Sequence, residues 1–335
     1  MHRSRFIGIG SYLPPRVVTN DDLAEMMDTS DEWIKTRSGI SERRWVEPDV
    51  TTTDLGLKAA DAALDSAGLD RSDIDMIVFA TLSPDHEFPG NACFLQAKLD
   101  LPGIPAIDVR QQCTGFVYAT SIADAMIRAG NASTVLVVGA EIHSKGLDLT
   151  TRGRDVSVLF GDGAGAAVMQ ATEVSDPAVD SHVLSTHLHA DGAFAEALWL
   201  PAPGMAYEKF STSAQLEAGL QYPQMDGRAV FVNAVTRMPE AVEEALAAND
   251  LTADDIDVFV FHQANMRIIE AAAHRLGAPA DKIVNTIDHT ANTTAATLPI
   301  CLDEAAKSGR LEAGMLVAAA AFGSGFTWGS MIIRW

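Results

Sequence analysis

The chain has few cysteines, few basic residues and no long apolar run. Its three cysteines, Cys93, Cys113 and Cys301, are an odd number without metal-ligand spacing, which excludes a disulfide framework and makes a reducing cytoplasm the expected compartment. Lys and Arg total 24 against 45 Asp and Glu, a formal charge of −21. A chain so short of positive charge would be repelled by nucleic acid and by anionic membrane, so neither is an expected partner. The longest apolar stretch, near Met315–Phe322, falls well below the ~18 residues of a membrane span. The N-terminal MHRSRFIGIGSYLPP has too short an apolar run for a signal peptide.

What is present is ample apolar material. Hydrophobic residues make up 47% and charged residues 21% of 335 residues, the balance of a globular chain with a sizeable core. At ~150 residues per domain, that length suggests about two domains or one duplicated unit. A repeat supports duplication: Ala59–Phe79 (AADAALDSAGLDRSDIDMIVF) aligns without a gap on Ala241–Phe261 (AVEEALAANDLTADDIDVFVF), an offset of 182 positions. Each segment reads as an amphipathic helix, a turn and a buried strand. Residues 135–139 (VLVVG) and 315–319 (MLVAA) repeat the strand, and the glycine-rich stretches from Gly161 and Gly323 follow them. The expected organisation is two similar α/β halves, residues 1–172 and 173–335, with the boundary around Gln170–Pro177.

Cys113 lies in PAIDVRQQCTGFVYATSIADAM, where an apolar segment ends at Val109 and a helix begins near the cysteine. A thiol at a helix N-terminus gains from the dipole and the free N–H groups, which favour thiolate, the attacking species. The position alone also admits a buried, inert cysteine. Cys93 and Cys301 sit in helical patterns and are expected in the core. The repeat sets Cys113-Thr114 against Asn292-Thr293 and places His262 directly after a buried strand, so Cys113, His262 and Asn292 are expected to converge between the halves. The other eight histidines, among them His143, lack this context and are expected to be solvated or structural. His187 and His189, two apart, lack a third ligand at metal spacing, so no metal is expected. GDGAG at Gly161–Gly165 lacks the Lys-Ser/Thr of a phosphate loop and is expected to serve close backbone packing beneath the site.

These motifs resemble the 3-ketoacyl-acyl-carrier-protein synthase III family of the thiolase superfamily. The resemblance runs from GIGSYLP at Gly8 through TSDEWIKTRSGISERR from Thr29, the Cys113 segment, RGRDVSVLFGDGAGAAV from Arg152, HQANMRI from His262 and NTTAATLP from Asn292 to FGSGFTWGS at Phe322. It implies a thiolase-like five-layered α-β-α-β-α fold from two duplicated halves, usually a homodimer, without a resident cofactor or metal. By the same resemblance Cys113 takes an acyl group from acyl-CoA, and His262 and Asn292 help decarboxylate malonyl-acyl-carrier protein, so that the carbanion attacks the acyl-enzyme and fatty-acid synthesis begins. His262 is read as a hydrogen-bond donor more than as a base toward Cys113. The family's coenzyme A contacts fall on Trp33, Arg37, Arg152 and Asn265, where an indole and a guanidinium can sandwich an adenine. Its phenylalanine that reaches the partner subunit's acyl pocket falls on Phe88, and Arg267, His274 and Arg275 fit a carrier-docking patch in which Val232 replaces a common lysine.

The chain departs from the family in places. Ala291 stands where a glycine is common, and TLSPDHEFPG differs from the housekeeping version and resembles a quinolone-signal branch that loads an aryl group. A specialised ketosynthase or acyltransferase of secondary metabolism using the same Cys113 acylation is therefore the alternative. A non-catalytic acyl-binding partner would not need the intact Cys113, His262 and Asn292. The charge of −21 still admits acidic partners such as coenzyme A and carrier protein, provided that Arg37, Arg152, Arg267 and Arg275 make a local basic mouth.

Overall fold

A computed structural model describes all 335 residues, Met1–Trp335. Short apolar runs form the strands, and their side chains alternate between two buried faces. The first sheet contains β1 (His2–Tyr12), β2 (Met76–Ala80), β3 (Ala106–Val109), β4 (Thr134–Glu141) and β5 (Gly163–Glu173), in the spatial order β1-β5-β4-β2-β3. The second contains β6 (His182–Ala190), β7 (Val258–Phe261), β8 (Ile283–Val284), β9 (Leu316–Gly323) and β10 (Thr327–Arg334), in the order β6-β10-β9-β7-β8. The two orders are the same, and so are the directions. β2 runs parallel to β3 and β4, as β7 does to β8 and β9. β5 runs antiparallel to β4 and β1, as β10 does to β9 and β6.

Six helices complete the layers: α1 (Thr52–Ala67), α2 (Asn91–Leu99), α3 (Gly115–Arg128), α4 (Gly227–Ala248), α5 (Met266–Leu276) and α6 (Thr297–Lys307). Met76, Val78 and Ala80 of β2 face α3 and α6, which lie between the sheets and also pack on Val258 and Val260 of β7. Ile77 and Phe79, one residue out of phase, face α1 and α2 on the outside. Phe259 and Phe261 of β7 likewise face α4 and α5. The result is the five-layered α-β-α-β-α thiolase-like arrangement built from two similar halves. β5 ends at Glu173 and β6 begins at His182, so each sheet is made from its own stretch of chain.

The N-terminal ends of α3 and α6 meet at the centre. Both follow a 3-10 turn, Gln112–Thr114 and Thr294–Ala296 respectively, and these turns stand 182 positions apart, the offset of the sequence repeat. Each opens on a non-glycine residue in the left-handed region, Gln112 at φ 45° and Thr294 at φ 51°. The counterpart of Cys113 in this alignment is therefore Ala295, and the expectation that set Asn292 opposite Cys113 is corrected by three residues. Contact at the axis requires small residues: a Cβ on Gly115 would lie 3.2 Å from Ala295 Cβ, and one on Gly139 only 2.4 Å from the Ala295 carbonyl oxygen.

Candidate active site

Cys113 occupies the 3-10 turn ahead of α3, which itself begins at Gly115. His262 directly follows β7, with its N–H donating to the Ala320 carbonyl at 2.9 Å. Asn292 lies in the loop before α6, where its N–H donates to the Leu159 carbonyl at 2.9 Å. These three residues, distant in sequence, line one cavity of about 110 Å³ together with Phe322, Gly323 and an apolar wall that includes Leu198, Phe231 and Met238. Cys113, His262 and Asn292 are all buried.

Their hydrogen bonds fix what each can offer. Asn292 Oδ1 accepts from the Thr294 N–H at 2.8 Å, which leaves its amide donors for the cavity. His262 Nδ1 shares a 2.7 Å hydrogen bond with the Thr297 hydroxyl, while its buried Nε2 has no protein partner. Burial pulls the imidazole down to about 3, so the ring is neutral. An unpartnered buried nitrogen is costly unless a ligand meets it.

The sulfur does not behave as its place beside a helix suggests. Burial, with the negative field of Glu141 behind it, pushes the Cys113 thiol up to about 12, against the pull of its own N–H, that of Ser324 and the Thr294 hydroxyl. Desolvation outweighs the helix end, and the expected resting thiolate is corrected to a thiol. Glu141, raised to about 7 by the same burial, accepts from the Thr81 and Ser83 hydroxyls and the Leu82 and Ser83 N–H groups.

Glycine is required where β9 passes the nucleophile. A Cβ on Gly323 would sit 2.7 Å from Cys113 Cβ and 3.2 Å from its sulfur. Gly323→Ala should displace the cysteine, lowering stability by about 1–3 kcal/mol, with a lower denaturant midpoint and slower modification of Cys113. The GDGAG stretch does pack closely beneath the site: a Cβ on Gly165 would meet Pro299 Cβ at 2.7 Å, and one on Gly161 the Thr290 carbonyl oxygen at 2.5 Å. Ala291 keeps a positive φ of 56° with ψ −160°, a backbone that an alanine adopts only under strain.

A wider cleft of about 470 Å³ adjoins the cavity, the two sharing Leu159, Met225, Gly227, Phe231 and Asn265. Trp33, Arg37, Asn265 and Arg267 line it. The Arg37 guanidinium lies 4.3 Å from the Trp33 ring centroid and that of Arg154 4.7 Å. Asn265 donates from Nδ2 to the Arg37 carbonyl at 2.8 Å and caps α5. Arg154 was missed in the sequence because only folding brings it over Trp33.

Other expected residues lie elsewhere. Arg152 lines a neighbouring cleft, bonded to Asp148 at 2.6 Å and stacked near Tyr222. Phe88 is 85% exposed and outside the cavity. On α5, Arg267 opens the helix near the cleft, whereas His274 and Arg275 stand in its last turn, and Arg275 is already paired with Glu243 at 2.8 Å. Cys93 is exposed rather than in the core, while Cys301 is buried. His187 and His189 both meet the Glu244 carboxylate, at 3.2 and 2.6 Å. His143, expected to be solvated or structural, is buried beside the site, its Nε2 2.7 Å from Thr294 Oγ1. No helix is long and apolar enough to cross a membrane.

Comparison with known proteins agrees with this fold. Residues 107–192 match the family model for 3-oxoacyl-[acyl-carrier-protein] synthase III, and residues 246–335 match that family's C-terminal model. The beta-ketoacyl-[acyl-carrier-protein] synthase III of Xanthomonas campestris pv. campestris is 48% identical over 335 residues, covering 99% of this chain and 98% of the relative. The crystal structure of 3-oxoacyl-[acyl-carrier-protein] synthase III from Aquifex aeolicus superposes with a TM-score of 0.88 at 40% identity, covering 99% of this chain and all of that one. The corresponding Pseudomonas aeruginosa structure gives 0.90 at 38%, covering 99% and 98%.

Proposed function

The chain belongs to the 3-oxoacyl-[acyl-carrier-protein] synthase III family, and on that premise we propose that Cys113, His262 and Asn292 carry the two half-reactions of a condensing enzyme that starts fatty-acid synthesis. It is an enzyme of the beta-ketoacyl synthase type, and relatives at this identity do not favour the specialised ketosynthase of secondary metabolism. The observation that carries the assignment of residues is the shared cavity: one thiol, one unpartnered imidazole nitrogen and one carboxamide NH2 line the same small space.

In the first half-reaction the Cys113 sulfur attacks the carbonyl of an acyl-CoA thioester. The bond to the coenzyme A sulfur breaks, and the proton of the Cys113 thiol ends on the departing thiol. One thioester replaces another, so the step is close to balanced and the acyl group can be passed on. The N–H groups of Cys113 and Ser324 that face the sulfur are placed to steady the tetrahedral oxyanion. The coenzyme arrives through the cleft, where Trp33 and the Arg37 and Arg154 guanidiniums offer a flat π face and positive charge to adenine and phosphate. Arg267, its guanidinium over the Phe231 ring, extends that positive mouth toward a carrier protein, and Val232 is exposed. Arg152, His274 and Arg275 contribute only if they exchange their present partners or lie under a larger docked surface.

In the second half-reaction the malonyl thioester loses carbon dioxide. The electron pair of the breaking carbon–carbon bond moves into an enolate whose oxygen needs donors. Asn292 Nδ2 supplies one. His262 Nε2 supplies the other once the Thr297 hydroxyl, which donates to the Thr294 carbonyl at 2.9 Å, turns to donate to Nδ1 instead and leaves the ring proton on Nε2. Both donors are neutral and line a mostly apolar cavity, where such hydrogen bonds have most effect. The enolate carbon then attacks the acyl-Cys113 carbonyl, the carbon–sulfur bond breaks, and the cysteine leaves as a thiolate that takes its proton from solvent.

We place this chemistry in a homodimer, with the exposed Phe88 directed to a second copy's pocket. The test is product formation: with a panel of acyl-CoAs, the mass of the Cys113 peptide rises by one acyl group, and malonyl-carrier protein or malonyl-CoA then yields a β-ketoacyl thioester. A labelled Cys113 that forms no carbon–carbon bond with either donor would sink the condensing assignment.

A further inference from the structure

A positive charge is buried beneath the cleft and takes no part in the chemistry above. Arg43 lies in the short strand Glu42–Trp45, which pairs with Arg16–Thr19, and its side chain is fully buried. Every hydrogen bond it makes is to a neutral oxygen. Nη1 donates to Asn20 Oδ1 at 2.8 Å and to the Val18 carbonyl at 3.3 Å, Nη2 donates to the Val158 carbonyl at 2.9 Å, and Nε has no partner. Burial draws the guanidinium down to about 10, so it keeps its charge at neutral pH. A buried cation without a carboxylate is a costly way to fill space.

The oxygens it holds lead to the two walls of the cleft. Asn20, itself buried, donates from its amide to Asp31 Oδ1 at 2.9 Å and to the Ile40 carbonyl at 2.8 Å. Asp31 and Ile40 bracket the helix Asp31–Ser38, which carries Trp33 and Arg37. Val158 ends the short helix Arg154–Ser157, whose first residue sets its guanidinium over Trp33. One planar fork thus ties the indole wall to the arginine wall, with Arg43 and Val158 115 positions apart in sequence. The cavity of Cys113 is held separately. The Asn292 N–H donates to the Leu159 carbonyl at 2.9 Å and the Gly161 N–H to the Asn292 carbonyl at 3.1 Å, and the arginine has no part in either bond.

We propose that Arg43 is a positioning residue for the nucleotide end of coenzyme A, its buried fork fixing where Trp33 stands relative to Arg154. The proposal rests on the reading of the cleft as the entry for acyl-CoA. Arginine suits the task because its planar donors serve acceptors on three separate segments at once, which a point charge such as lysine does not. Without the fork the two walls are free to shift, and the contacts that a base and phosphates make with them weaken. The sulfur and the donors around it stay in place, because their own hydrogen bonds hold them.

The test is single-turnover acylation of Cys113 in the full-length protein, with the acyl-CoA that labels it best and with the matching acyl-pantetheine, which lacks the nucleotide. Arg43→Met should raise the half-saturating concentration of acyl-CoA about tenfold and leave the limiting rate within about twofold. With acyl-pantetheine both should stay at wild-type values. Asp31→Ala, at a half-exposed carboxylate, breaks the link from Asn20 to the Trp33 helix and should raise the half-saturating concentration about threefold, again for acyl-CoA alone. Lys35→Ala, which removes the other partner of Asp31, should match wild type. The Asp31 variant keeps the test open if Arg43→Met fails to fold. Folded variants that take acyl-CoA as the wild type does would overturn the proposal, as would equal losses with both donors, the mark of a merely structural role. Trp33→Ala tells the two failures apart. If it also leaves acyl-CoA unaffected, the cleft does not hold the nucleotide; if it weakens acyl-CoA where Arg43→Met does not, only the role of Arg43 is lost.

Discussion

Cys113→Ala should leave the protein with no covalent acyl adduct and reduce β-ketoacyl product by at least about a thousandfold, the scale on which loss of a nucleophile is felt when the remaining groups act as a unit. The cause is local, because no other thiol reaches the cavity: Cys301 is buried in α6, and Cys93 is exposed on α2. The side chain lost is small and the backbone of its turn is held by its neighbours, so the fold should survive. The two donors assigned to the malonyl step also survive. Release of carbon dioxide from the malonyl donor should therefore persist in Cys113→Ala while carbon–carbon bond formation disappears. Separate measurement of carbon dioxide and of β-ketoacyl thioester checks this uncoupling. Loss of both in equal measure would mean that the sulfur, and not the donor pair, governs decarboxylation.

The second large effect belongs to that donor pair. His262→Ala and Asn292→Ala should each retain acylation of Cys113 within about tenfold while lowering decarboxylation by about a hundred- to a thousandfold, the cost of removing one preorganised oxyanion donor. The double variant should fall by less than the product of the two, because the donors share one oxygen. Asn292→Ala alone is ambiguous, since it also removes the acceptor for the Thr294 N–H. Asn292→Asp keeps that acceptor but replaces the N–H donors with a carboxylate that repels the enolate. Decarboxylation in Asn292→Asp should therefore fall at least as far as in Asn292→Ala. If either His262→Ala or Asn292→Ala abolished acylation first, the donor role would be wrong, and the base for the Cys113 thiol would have to be sought in the imidazole.

Much of the framework can be read from the chain because its signals are local. A buried strand needs only a short apolar run, and the helix–turn–strand repeat at an offset of 182 positions is visible because both copies face the same packing problem on opposite sides of one molecule. That Cys113, His262 and Asn292 share one space is legible from the motifs that carry them, each close to the end of a regular element. What escapes is set by burial and distant pairing. The helix N-terminus beside Cys113 suggests a thiolate, but the depth of the cavity and the Glu141 carboxylate reverse that, and neither is a property of the local sequence. Arg152 and Arg275 carry the right charge but are committed to Asp148 and Glu243, whereas Arg154, which no motif singled out, stacks on Trp33. His143 looks unremarkable in EIHSKG because its partner, Thr294, is half the chain away.

The strain at Thr294 and Gln112 joins the two levels. Both positions open the turns that carry the central helices into the site, and both pay for it with a left-handed backbone. Duplication supplied two such turns. One presents the sulfur, and the other presents the hydrogen bonds that organise Asn292 and His262.

The most direct measurement is a single-turnover chase of isotopically labelled acyl-enzyme. The protein is loaded with a carbonyl-labelled acyl-CoA, freed of excess substrate and mixed with malonyl-carrier protein. The label should leave the Cys113 peptide at the rate at which it appears in the keto carbon of the β-ketoacyl product, with one carbon dioxide released per label transferred. A label that stays on Cys113 while product forms, or product formed without ever passing through that peptide, would contradict the account.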